Sequence, residues 1–306
     1  MTLLIGSHVS FKKEKQLLGC VEEIINYGGN SFMLYTGAPQ NTSRLPIDKN
    51  LTLRGYELMK NNNMEINNVF VHAPYIINLA NKKNINNYHF SIKFLKEEIK
   101  RCDKLGVNKL ILHPGSHVGE GIEIGIKNII NALNEVIEPE QKTHICLEIM
   151  SGKGSECGSS FLELKEIIDN IDKKNKILVC LDTCHLFDAG YNLNDFDAIL
   201  DEFDELIGLS KLACIHINDS KNIIGSKKDR HANIGFGNIG FDTLIKIIYN
   251  RRIANVPKIL ETPFISEDDS LIKVYPPYKL EIEMIKKQKL NKNLIQDIRK
   301  YYQKTK

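Results

Sequence analysis

Short apolar runs alternate with segments of helical hydrophobic spacing along almost the whole chain. The runs are rich in Ile, Leu and Val, which is typical of strands that are buried on both faces. Between the third and fourth runs, apolar residues recur three or four positions apart from Ile92 to Leu105, which predicts an amphipathic helix. Eight strands are predicted, at residues 3–6, 31–35, 68–72, 109–113, 144–148, 178–182, 213–217 and 258–261.

This alternation predicts the fold class. A chain of 306 residues with eight strand–helix repeats fits a single-domain α/β fold of the (β/α)8 TIM barrel type, and an open parallel sheet is the alternative. We expect the barrel at residues 1–275 and a basic, helical C-terminal extension at residues 276–306. From Lys286 to Lys306 the chain has eight Lys or Arg and the single acid Asp297, which is typical of a solvated helix and less often of a DNA contact. Further helices are expected at residues 16–27, 122–137, 161–171, 196–207 and 241–250.

Acidic residues and histidines stand at the ends of six successive predicted strands. In a barrel the carboxyl ends of the strands converge on one face, so these side chains would surround a single pocket. In an open sheet they would spread along an edge. The six residues are His72, His113, Glu148, Asp182, His216 and Glu261.

Three further candidates, His185, Asp229 and His231, follow the sixth and seventh strands. One histidine at a strand end is usually only hydrogen-bonded, but nine imidazole and carboxylate groups provide ligands for two or three divalent ions. Such donors suit Zn²⁺, and the lack of a four-cysteine pattern favours a catalytic site over a structural one. His8 and His117 also lie near strand ends, where each would either support a metal ligand, contact a phosphate or make an ordinary hydrogen bond.

The composition leaves the partner open and indicates the compartment. A net charge of +3 is too weak to predict nucleic-acid binding by itself. The seven cysteines form no CxxC pair, and several lie in apolar runs, which favours reduced thiols in a cytosol. The N-terminus has no signal-peptide pattern, and no apolar run is long enough to span a membrane. We therefore expect a soluble, cytoplasmic protein without a membrane partner.

Residues around the predicted pocket have two interpretations each. Lys227, Lys228 and Arg230 flank Asp229 and His231, where they would either bind a substrate phosphate or belong to a solvated loop. Tyr75 and Ile76 follow the third strand, where they would either wedge into a nucleic-acid groove or pack in the core.

Several pieces of the sequence form a set of motifs. They are Gly6-Ser-His-Val-Ser, His72-x-Pro-Tyr-x-Ile-Asn-Leu, Leu112-His-Pro-Gly-Ser-His, Leu147-Glu, Asp182-Thr-Cys-His-x-Phe-x-Ala-Gly-Tyr, His216-x-Asn-Asp-Ser-Lys, Gly225-Ser-x-x-Asp-Arg-His and Leu260-Glu-Thr. Together they resemble endonuclease IV, the metal-dependent apurinic/apyrimidinic endonuclease family, over nearly the whole chain. The resemblance implies a (β/α)8 barrel with three zinc ions.

The resemblance also implies which residue binds which ion. His72 and His113 would bind the first zinc ion, and Glu148 would bridge it to the second. Asp182, His216 and Glu261 would complete the second site. His185, Asp229 and His231 would hold the third.

The implied reaction is hydrolysis of the phosphodiester 5′ to an abasic site in duplex DNA. It would leave a 3′-hydroxyl and a 5′-deoxyribose phosphate, and the protein would act as a monomer on damaged double-stranded DNA. Neighbouring metal ions lower the pKa of a bound water and neutralise charge on the phosphate, and Glu148 would be the catalytic residue that orients this water. Tyr75 and Ile76 match the position of a wedge that opens the duplex.

One loop departs from the resemblance. After the second strand some members of the family carry an arginine that inserts into DNA, whereas this chain reads Tyr35-Thr-Gly-Ala-Pro-Gln-Asn-Thr. Gln40, Asn41 or Arg44 would then take over only part of that role.

Two other classes of function share these residue types. A sugar isomerase of the xylose-isomerase type has a similar barrel, but it needs one or two metals, so that His72, His113, His185 and His231 would be surplus. A DNA-binding barrel with structural zinc would have closed metal coordination and no hydrolytic activity, but structural zinc sites usually use cysteine.

Overall fold

Eight parallel strands close into a barrel in a computed structural model, which describes residues 2–268 and 272–304. Each strand pairs with the next along the chain, and the last strand closes the ring by pairing with the first. The predicted single-domain (β/α)8 barrel is therefore confirmed. The barrel strands are β1 (Ile5–Val9), β2 (Ser31–Leu34), β3 (Val69–His72), β4 (Lys109–Leu112), β5 (His144–Glu148), β6 (Ile177–Asp182), β7 (Leu212–Ile217) and β10 (Lys258–Leu260).

Helices surround the barrel, and two short strand pairs lie outside it. The pairs are β8 (Asp219–Ser220) with β9 (His231–Ala232) and β11 (Ile265–Ser266) with β12 (Lys273–Tyr275). No helix in residues 2–268 or 272–304 combines the length and the apolar character that crossing a membrane requires. The helices are α1 (Gln16–Tyr27), α2 (Lys49–Asn61), α3 (Ile85–Leu105), α4 (Ile122–Val136), α5 (Phe161–Asp169), α6 (Thr183–Ala189), α7 (Phe196–Leu206), α8 (Phe241–Ile248), α9 (Tyr278–Lys286) and α10 (Leu294–Lys304).

The interior of the barrel is filled by a small apolar cluster below the carboxyl ends of the strands. Larger apolar side chains fill the layer between strands and helices, where Phe32, Phe161 and Phe203 are completely buried. All seven cysteines are unpaired and buried. The cluster inside the barrel contains Met33, Phe70, Ile111, Cys146, Cys180, Ala213, Cys214 and Ile259. This packed floor leaves only the upper ends of the strands open to ligands.

The C-terminal residues pack against the barrel. Helix α9 contacts β1 and α1, and it buries Tyr278, Ile282 and Ile285. Helix α10 buries Leu294 and Ile298, so the basic tail has an apolar face in addition to its solvated one. Residues 305 and 306 of that tail lie outside the described residues. Helix α9 thus covers the strands at the point where the ring closes.

Candidate metal centre

All nine predicted ligands meet at the carboxyl ends of the strands. Their ligand atoms form groups in which every atom lies within 4.8 Å of the others. One group is His72, His113 and Glu148, a second is Glu148, Asp182, His216 and Glu261, and a third is Asp182, His185 and His231. Asp229 joins the third group, because its Oδ1 lies 3.2 Å from His185 Nε2 and 3.4 Å from His231 Nε2.

Glu148 lies at the centre of the cluster and faces different histidines with its two oxygens. Its Oε2 is 3.3 Å from Nε2 of both His72 and His113. Its Oε1 is 3.2 Å from Nδ1 of His216. The residue is 1% exposed, so its carboxylate is hidden from solvent. Because the two oxygens face different histidines, each could bind a separate cation.

Asp182 lies between the second and third groups. It ends β6, and its Oδ1 accepts the backbone N–H of His185 at 2.9 Å, which caps helix α6. Its Oδ2 lies 3.9 Å from His216 Nδ1 and 3.8 Å from His231 Nε2. The helix cap therefore fixes a carboxylate that faces both groups.

Backbone carbonyls orient three of the histidines. His72 Nδ1 lies 2.7 Å from the carbonyl of Ala73, and His185 Nδ1 lies 2.9 Å from that of Ile149. His231 Nδ1 is 3.4 Å from the carbonyl of Glu261. When Nδ1 donates its proton in this way, Nε2 is left with a free lone pair that can bind a metal.

The geometry and the donor set fit divalent cations. Within the described part of the chain, the buried His231 Nε2 has no hydrogen-bond partner, as expected of an atom that is oriented to bind a metal. Imidazole nitrogens and carboxylate oxygens suit Zn²⁺ and related ions. The centre is therefore a group of side chains that could hold metal ions.

Electrostatic interactions within the cluster are strong. Burial by itself would raise the pKa of the Glu148 carboxyl, but His216 and His113 hold that pKa well below its usual range. Burial likewise would lower the pKa of His216, but Glu261 and Glu148 raise it well above its usual value. The carboxylates thus attract positive charge to the pocket, and a bound cation would replace protons on the histidines.

A cavity of about 390 Å³ opens above the ligands, and Tyr75 lies at its rim. The Tyr75 ring is 5.8 Å from the rings of both His72 and His113, and the residue is 59% exposed. Ile76 is half-buried and packs against the apolar core. Lys153 also lines the cavity, although sequence analysis gave its loop no role.

The basic loop and the loop after β2 carry exposed side chains. Lys227, Lys228 and Arg230 are all exposed. Gln40 and Asn41 are exposed as well. These residues are therefore accessible to a bound polymer.

Arg44 does not share that accessibility, and its expected role in DNA insertion is wrong. Its side chain is 2% exposed, and its Nε donates to Glu98 Oε1 at 2.5 Å. Its Nη1 donates to three backbone carbonyls of the same loop, including that of Ala38 at 3.3 Å. Arg44 therefore fastens the loop to helix α3.

His8 and His117 differ in their surroundings. His8 is on β1, where its ring lies 5.3 Å from that of Tyr35. Burial lowers the pKa of His8 to about 4, so that its imidazole is neutral at pH 7. His117 instead accepts the backbone N–H of Gly121 at 3.1 Å, just before helix α4. The structure thus places His117 at a helix start and outside the ligand groups.

Asn218 supports the ligands, although sequence analysis gave it no role. Its Nδ2 donates to Asp182 Oδ2 at 2.7 Å, and its Oδ1 accepts the backbone N–H of Glu261 at 3.1 Å. It thus orients candidate ligands at the ends of two different strands. Its position in the His216-x-Asn motif was the signal that could have identified it.

Asp188 has a similar supporting role for the basic loop. The buried carboxylate accepts from Ser220 Oγ at 2.7 Å, Asn222 Nδ2 at 2.8 Å and the backbone N–H of Asp229 at 2.9 Å. These bonds hold Asp229 at a φ of 53°, a left-handed conformation that is uncommon for residues other than glycine.

Comparison with known proteins identifies the family. A family model described as a xylose isomerase-like TIM barrel matches residues 21–288. A protein named probable endonuclease 4 from Geobacillus sp. (strain WCH70) is 51% identical over 297 residues, which cover 97% of this chain and 98% of the relative. The protein of the same name from Bacillus subtilis (strain 168) is 49% identical, with 97% and 99% covered.

Solved structures show the same fold. Endonuclease IV from Thermus thermophilus has a TM-score of 0.76 at 24% identity, covering 93% of this chain and 98% of that one. A D-tagatose 3-epimerase-like protein has a TM-score of 0.66 at 17% identity, covering 95% and 98%. At such low identities the solved structures support only the barrel fold. The relatives near 50% identity distinguish the endonuclease class from the sugar-isomerase class, which has a similar barrel. The chain belongs to the endonuclease IV family.

Proposed function

We propose that this protein is a DNA repair endonuclease that hydrolyses the phosphodiester 5′ to abasic sites in duplex DNA. The products are a 3′-hydroxyl and a 5′-deoxyribose phosphate. The proposal has the protein acting as a monomer in the cytoplasm, with three zinc ions in the centre. The observation that carries it is the convergence of all nine ligands in a chain that is about half identical to proteins named endonuclease 4.

The assignment of the ions follows the groups of ligand atoms. His72 and His113 would hold the first ion together with Glu148. Glu148 and Asp182, with His216 and Glu261, would hold the second. His185, Asp229 and His231 would hold the third, and Asp229 lies 3.2 to 3.4 Å from the two imidazoles.

Ions held there would supply a water of lowered pKa and offset the charge of the phosphate. Glu148 orients the attacking water, because its carboxylate lies between the first two groups and accepts hydrogen bonds.

Residues on the rim select the substrate. Tyr75 presents an exposed ring directly above two ligands, where it can stack on a base or fill a gap in the duplex. Removing a sugar without its base from the helix sacrifices less stacking energy, which favours abasic sites. Lys227, Lys228 and Arg230 bind the backbone phosphates.

The test is incision of a labelled duplex that carries one abasic-site analogue. The protein is assayed as purified and after prolonged chelation, with its metal content measured by elemental analysis. Cleavage on the 5′ side, lost when about three zinc equivalents are removed, is the expected result. A metal-loaded protein that leaves the duplex intact would refute the proposal, and a panel of sugars would then test for isomerase activity.

A further inference from the structure

A buried acid in the C-terminal helix α9 contacts two segments of the candidate metal centre. Glu281 has no exposed surface. Its Oε2 accepts a hydrogen bond from the Thr262 hydroxyl. Its Oε1 accepts from Asn233 Nδ2 and from the backbone N–H of Ile234, both at 3.1 Å. The motifs of the sequence did not include this residue.

The partners of Glu281 lie next to ligands on different elements. Thr262 directly follows Glu261 after β10. Asn233 comes two residues after His231, and its Nδ2 also donates to the carbonyl of Pro263 at 3.0 Å. The two segments thus meet at one carboxylate, and a small displacement of α9 would move both of them.

The two ligands are also joined directly. His231 Nδ1 lies 3.4 Å from the carbonyl of Glu261, which turns His231 Nε2 towards Asp229. Because this contact uses the Glu261 backbone, its geometry depends on the conformation of residues 261–263. Glu281 holds that conformation through Thr262.

We infer that Glu281 is a positioning residue that sets the distance between Glu261 and His231, and so the affinity of the second and third metal sites. A buried carboxylate is costly unless it is fully hydrogen-bonded, and here its bonds go to the segments after two ligands. Helix α9 also packs through apolar side chains, since Tyr278, Ile282 and Ile285 are buried. This inference rests on the metal centre proposed above.

The experiment measures zinc binding directly, without activity. Wild type, Glu281→Ala and Glu281→Gln are equilibrated in a series of zinc buffers, and zinc per folded protein is determined. In Glu281→Ala we expect the second and third sites to fill only at a free zinc concentration about 10- to 100-fold higher than in wild type. Losses of this size are typical when a residue that orients metal ligands is removed. The zinc held by His72 and His113 should keep the wild-type affinity.

The conservative variant separates positioning from general packing. In Glu281→Gln the amide oxygen can still accept from Asn233 and Ile234, and the amide nitrogen can donate to Thr262 Oγ1. Its zinc binding should therefore be close to wild type. Glu283→Ala is the matched control, because Glu283 lies on the same helix and its exposed side chain pairs with Lys287 on the surface.

The outcomes are distinct. A wild-type zinc curve for Glu281→Ala, even with a lower melting temperature, overturns the inference and leaves the metal centre intact. A wild-type protein that binds no zinc refutes the metal centre itself. If Glu281→Ala does not fold, Thr262→Val and Asn233→Ala each remove one arm of the contact, and each must weaken zinc binding for the inference to stand.

Discussion

Replacing Glu281 by Gln should change how the stability of the protein depends on pH. Burial raises the pKa of the Glu281 carboxyl from 4.5 to about 7 in the folded protein, against hydrogen bonds from Thr262, Ile234 and Asn233 that lower it. Between these values the folded state keeps a proton that the unfolded chain releases. The corresponding stabilisation is complete below pH 4.5 and is lost as the pH rises through 7.

The size of the effect follows from the two pKa values. They differ by about 2.5, which corresponds to ~3 kcal/mol of unfolding free energy. Because Gln does not ionise, Glu281→Gln does not lose this stabilisation as the pH rises. We therefore expect the unfolding free energy of the variant minus that of wild type to increase by this amount with rising pH, mostly between about pH 5 and 7.

The assay is reversible urea unfolding of both proteins at a fixed excess of zinc, followed by circular dichroism at a series of pH values. Other titrating groups contribute equally to both proteins and cancel in the difference. Glu283→Gln, on the exposed side of α9, should show no such trend. A difference between Glu281→Gln and wild type that stays constant from about pH 5 to 8 would refute the reasoning.

Three further predictions concern residues in and beside the centre. Glu148→Gln should fold and retain most of its metal yet lose nearly all strand cleavage, and activity within about tenfold of wild type would argue against its catalytic role. Tyr75→Ala should reduce the preference for abasic over intact duplex in binding assays while the metal content stays the same. An unchanged ratio of the two affinities would contradict the proposed wedge role of Tyr75. Arg44→Met removes the ion pair of the buried Glu98 and should lower the unfolding free energy by about 3 kcal/mol, measured by urea titration, whereas a loss below about 1 kcal/mol would contradict a stabilising role for this pair.

The strands and the clustering of the candidate ligands were predictable because their signal is local. An apolar run that ends in His or a carboxylate, as at His72 or Glu148, identifies both the strand and its functional end. The first strand was placed too early, at residues 3–6 instead of Ile5–Val9, because the polar Ser7 and His8 interrupt the apolar pattern that the backbone continues.

Other elements have no such local signal. Helix α2 was missed because its buried positions are Thr52, Gly55 and Met59, whereas apolar residues such as Leu53 are exposed, so that no apolar stripe marks the helix. The burial of Arg44 could not be predicted from its loop sequence, because its partner Glu98 lies on a helix far along the chain. The environment of Glu281 likewise depends on tertiary contacts with residues far earlier in the chain.

The closure of the barrel by β1 and β10 also determines when the metal centre can form. Its ligands extend from residue 72 to residue 261, and β10 pairs with both β1 and β7. During synthesis, the group that contains Glu261 remains incomplete until the last barrel strand has emerged and joined the first. This group is thus complete only when the two ends of the barrel have met.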